Sequence, residues 1–151
     1  MRCLTGLLLA LWPVSLAAQV AQSCDWRARA DAIVEPWDAH TKTFSNGEVR
    51  VALLDVLEPA AGSVYLLLLH PPRAELGERT CTVIGQSDNF GYAGIMFDEL
   101  SASYDPATGL TLTVPAIIYL PEASFKNSAL VRVMINQATG DVQVTQDLGN
   151  E

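Results

Sequence analysis

After Thr41 every apolar run in this sequence is short and ends at a turn signal. Asn46-Gly47 separates Thr41–Phe44 from Glu48–Leu57, and that dipeptide supplies the left-handed backbone a tight hairpin needs. Glu58-Pro59-Ala60-Ala61-Gly62-Ser63 closes the next run, and Asp105-Pro106-Ala107-Thr108-Gly109 and Gln137-Ala138-Thr139-Gly140-Asp141 close later ones. Leu110-Thr111-Leu112-Thr113-Val114 alternates with the period of two that a half-buried strand shows. No helical repeat separates these runs, so the parallel folds that need crossover helices are excluded. The expected fold is all-β and mainly antiparallel, a sandwich or small barrel of about 8–10 strands.

Several local features refine that expectation. Val64–Leu69 is apolar on both faces, so it needs cover from two sides, by a second sheet plus the N-terminal helix or by a partner. Pro71-Pro72 should stop that strand, and Pro115 should mark a bulge or an edge, because proline cannot donate to a ladder. Thr80–Ile84, Phe90–Phe97, Leu100–Tyr104, Ala129–Asn136 and Val142–Thr145 read as further strands. One short helix is expected, from Asp25 to about Glu35. Alanine and arginine favour it, Asp25 caps it, and Pro36 ends it. Trp26, Ala30, Ile33 and Trp37 would form its docking face.

The first residues carry a different signal. Met1-Arg2 supplies a positive start, Leu4–Trp12 an apolar core, and Ser15-Leu16-Ala17 a small-x-small cleavage site. Pro13 interrupts the apolar run well before the roughly 20 residues that span a bilayer. Residues 1–18 are therefore expected to be a cleaved signal peptide, with the boundary between 17 and 21, leaving 19–151 as a single domain and no membrane span. Ala21-Gln22-Ser23-Cys24 lacks the leucine of a lipidation signal, and lipidating Cys24 would leave Cys81 without a partner. Cleavage removes Cys3 and leaves Cys24 and Cys81, a pair that forms one disulfide in an oxidising compartment. The expected location is the periplasm or the exterior.

Nine Lys and Arg stand against seventeen Asp and Glu, a formal charge of −8, and losing Arg2 makes it −9. The cations are scattered, which opposes nucleic-acid binding, since phosphate contacts need them clustered. His40 and His70 are far apart and belong to no metal-binding spacing, and the serines form no nucleophile elbow. Phosphate loops and calcium loops are also missing, and Asp98-Glu99 would point to opposite faces of a strand. The reading therefore names no catalytic residue, no metal ligand and no cofactor.

Gly85–Phe97 is unusual for a framework strand, because its glycines imply a bend or a close approach. Asp88, Phe90, Tyr92 and Met96 are the expected recognition surface, with a core strand as the plainer alternative. The functional expectation is an exported non-enzymatic binding or accessory module whose partner is a protein or a small apolar ligand. The alternatives are a hydrolase with a dispersed active site and a structural envelope protein that self-associates through Val64–Leu69.

Overall fold

The structure is a computed structural model and describes residues 20–149. The expected leader, residues 1–18, lies outside them. Ten strands follow in chain order: β1 (Ala21–Ser23), β2 (Thr41–Phe44), β3 (Val49–Asp55), β4 (Val64–Arg73), β5 (Arg79–Ile84), β6 (Gly94–Ile95), β7 (Ser101–Asp105), β8 (Gly109–Leu120), β9 (Phe125–Ile135) and β10 (Val142–Leu148). They form two antiparallel sheets of five strands, so the mainly antiparallel, sandwich-like expectation holds. The first sheet runs β1-β5-β4-β3-β2. In the second, β10-β9-β8 is bordered by β6 and β7, which both pair with the free side of β8.

The period-two pattern builds the core. Val49, Val51 and Leu53 of β3 and Leu66 and Leu68 of β4 meet Leu110, Leu112 and Val114 of β8 and Val131, Val133 and Ile135 of β9. Each such buried aliphatic contributes roughly 1.5–3 kcal/mol relative to exposure. A second, smaller apolar cluster lies on the outer side of the first sheet. Leu54, Tyr65 and Val83 point outward there and are covered by Ala28, Ala32 and Ile33. The two-sided apolar character of β4 is thus met by the second sheet inside and by the segment after Cys24 outside.

That segment is not the expected helix. Its only helical residues are a 3-10 turn at Ala30–Ala32. The reason is competition for its backbone groups. The Cys24 amide donates to the Cys81 carbonyl at 3.1 Å and the Val34 amide to the Leu53 carbonyl at 3.0 Å, while Ile33 bridges Leu54. A lone helix of some ten residues is marginal in water, so bonds to the sheet override its propensity. Residues 24–34 form a strap across the outer face.

The prolines also depart from expectation. β4 continues through Pro71-Pro72 to Arg73, with its register to β5 shifted between His70 and Arg73, so the missing amides fall where the ladder is already irregular. Pro115 sits in register with Leu130 inside the central strand β8, neither bulged nor on an edge. Its carbonyl accepts from the Met96 amide, so the side lacking a donor faces the gap between β6 and β7. The 3-10 turn Phe97–Glu99 fills that gap. The strand expected over Phe90–Phe97 shrinks to Gly94–Ile95 because the chain changes sheets there. The Tyr92 amide still bonds Val64 of the first sheet, whereas the Ala93 amide already bonds Ile117 of the second.

Candidate functional site

The strap is fastened at its start by the Cys24–Cys81 disulfide, with Cα atoms 5.3 Å apart. Arg27 follows and is only 3% exposed. Its Nε and Nη2 each donate to the Asp25 carboxylate at 2.8 Å, and its guanidinium stands 5.1 Å from the centre of the Tyr65 ring. The charge is thus removed from water but paired and stacked, the arrangement that makes a buried arginine tolerable. Its hydrogen bonds hold the Asp25 carboxyl below the usual value, against the opposing effect of burial. Arg27 also bonds Gln22 at 2.5 Å, and Gln22 donates to Asp88 at 2.6 Å.

Farther along, the Arg29 guanidinium lies 5.9 Å from the Trp26 ring centre and its Nε forms an ion pair with Asp31 at 3.1 Å. After Pro36 the chain turns, and the His40 carbonyl accepts from the Leu53 amide at 2.9 Å as β2 begins. Trp26 is 62% exposed and Trp37 is 53% exposed. They are the two tryptophans of the described residues, and both stand on this one strap and its continuation. On one side of the strap is an open cleft of about 640 Å³, lined by Ile33, Val34, Glu35, Trp37 and Asp55 among others. On the other is an apolar recess of about 150 Å³, formed by Ile33, Ala52, Leu67 and Leu69 and bordered by Thr43 and Arg50.

The residues expected to form a recognition surface do not meet on one face. Tyr92 is completely buried between the sheets, so a partner at the surface does not reach it. Its hydroxyl has no hydrogen-bond partner among the described residues, and burial pushes its ionisation well above the ordinary phenol value. Asp88 is exposed but engaged by Gln22, Phe90 is half-buried, and Met96 lies at the surface beside the Phe97–Glu99 turn. Gly85 and Gly91 do mark close approaches, but to the chain's own parts, whereas Gly94 stands in ordinary contact with Ile117. A side chain at Gly62 would strike the Phe90 ring, and one at Gly91 would meet the Val64 and Gly62 carbonyls and the Tyr65 ring.

The histidines are held by backbone. His70 is wholly buried, with Nδ1 2.7 Å from the Pro71 carbonyl and Nε2 3.1 Å from the Thr82 hydroxyl. A carbonyl only accepts, so Nδ1 carries the proton and Nε2 accepts from Thr82. His40 Nδ1 lies 3.1 Å from the Pro36 carbonyl. Among the described residues no three His, Cys, Asp or Glu side chains group as metal ligands would, and no helix is long and apolar enough to cross a membrane. Asp98 and Glu99 are exposed on their 3-10 turn, where the Lys42 ammonium donates to the Phe97 carbonyl at 3.0 Å and ties β2 to the second sheet.

Trp26 and Trp37 are the residues that sequence reasoning misplaced. Their spacing suggested a face turned inward with Ala30 and Ile33; of these Ile33 does turn inward, and Ala28 and Ala32 join it in place of the others. Comparison with known proteins gives no match: no family model fits the chain, and no curated sequence or solved structure is significantly similar to it.

Proposed function

We propose that this protein is an exported, non-enzymatic binding module that engages a partner protein through the strapped face of its first sheet. The observation that carries the reading is the pair of exposed tryptophans on a segment fastened by a disulfide. Tryptophan is costly to leave in water and dominates binding hot spots when a partner covers it. A strap anchored at Cys24 and again at Val34 presents these rings with little ordering left to be lost on binding. The apolar recess of about 150 Å³ adds surface for a partner to cover. The leader and the disulfide together support export to an oxidising compartment, the periplasm or beyond.

The test compares the protein with its Trp26→Ser/Trp37→Ser variant as immobilised bait for proteins of the source cell envelope. Exposed substitutions of this kind leave stability within about 0.5 kcal/mol, so the melting temperature should hold. Retention of the partner should fall about tenfold or more. Equal retention by both baits would overturn the reading.

A further inference from the structure

We infer that the cleft beside Trp37 receives an arginine or lysine side chain of the partner, so that the docking segment is basic. The inference rests on the partner-binding reading above and names the chemistry of its partner. The strap itself shows the principle twice. Arg27 stands over Tyr65 and is gripped by Asp25, and Arg29 stands over Trp26 and is gripped by Asp31. Trp37 repeats the aromatic half of this arrangement, and Glu35 and Asp55 line the same cleft to repeat the anionic half. The cation is what is missing. Among the described residues no cation stands over Trp37, and neither Glu35 nor Asp55 forms an ion pair.

The cleft is built to take such a side chain. One Asp55 oxygen accepts from the Leu57 amide at 2.8 Å, which fixes the carboxylate while its other oxygen is left for a donor. Ile33, Val34 and Ala32 give the aliphatic stem of a lysine or arginine an apolar wall, with the charged head between ring and carboxylates. Cation–π attraction and a charge-assisted hydrogen bond then act on one group. The chain's net charge of −8 helps such a segment to approach, but the ring, the fixed Asp55 carboxylate and Glu35 beside it decide where it docks.

The experiment titrates a blocked tetra-arginine peptide into isotope-labelled protein and follows the Trp26 and Trp37 indole N–H resonances by NMR. The Trp37 signal should move and saturate while the Trp26 signal, whose ring Arg29 already occupies, stays nearly still. Trp37→Leu, and separately Glu35→Gln/Asp55→Asn, should each weaken binding about tenfold. Glu75→Gln/Glu122→Gln removes the same charge from remote exposed turns and should change affinity less than about twofold. A static Trp37 signal, or equal weakening by the remote pair, overturns the inference. The bait comparison separates it from the parent reading. If the tryptophan variant loses the partner but Glu35→Gln/Asp55→Asn retains it, the face stands and the basic segment falls. If the tryptophan variant also retains the partner, both fall.

Discussion

Arg27 and His70 are both taken out of water, and the chain resolves the cost in opposite ways. Arg27 keeps its charge because Asp25 and the Tyr65 ring receive it. His70 meets a carbonyl and a hydroxyl, and burial lowers its pKa from the ordinary 6.5, with the Pro71 carbonyl opposing that shift in part. The unfolded chain titrates near 6.5, so above that pH neither state is protonated and this site costs nothing. As pH falls below about 6.5 the unfolded chain takes up a proton that the folded chain refuses, and stability declines until the lowered folded value is passed. One group contributes a slope of at most about 1.4 kcal/mol per pH unit. Asp25 acts in a separate window, below its ordinary value of 3.8. Urea unfolding at about pH 7 and about pH 5.5 should therefore show lower stability at the lower pH, and His70→Gln should shrink the difference whatever it does to stability itself. An undiminished difference would remove His70 from the account. Such residue-scale facts were not legible in the sequence. His70 before two prolines looked like a strand end, and Tyr92 could be read as a recognition aromatic or as core, of which its burial bears out the core, because a single strand does not say which sheet it will face.

At the scale of elements, the turns were legible and the strap was not. Asn46-Gly47 and the two Ala-Thr-Gly loops carry their conformation in their own side chains and glycine, so their strands appear where expected. The segment after Cys24 has helical propensity, but its shape is set by bonds to residues about twenty to fifty-seven positions away, Leu53 and Cys81. Pro115 gives the same lesson. Its missing donor is harmless because a different segment, β6 to β7, breaks opposite it. The disulfide closes a loop with a sequence separation of 57 residues, for which the chain-entropy account gives about 4 kcal/mol. Cys24→Ser/Cys81→Ser should lose up to that amount and should raise amide exchange of residues 24–34 more than that of β8 and β9. Unchanged exchange in the strap would mean that Val34, Ile33 and Arg27 hold it without the bridge.

For the whole molecule, a sandwich has two outer faces, and among the described residues the strap lies over that of the first sheet. The second sheet turns Thr113, Arg132 and Thr145 outward in register across three strands. Lateral association through Val64–Leu69 finds no free ladder, because β4 lies between β3 and β5. Sandwich architecture was readable from the turn spacing and the two-sided β4. The candidate site was not, because exposure of Trp26 and Trp37 follows from the path of the strap over the sheet rather than from any motif. The central claim is that this strapped face, and not its opposite, is where a partner binds. It is tested most directly by placing a photo-crosslinking amino acid at position 37 and, separately, at position 145 of the protein. Irradiation in the living source cells should yield one discrete adduct from position 37 and none from position 145. Adducts from 145 alone, or the same adducts from both, would contradict it.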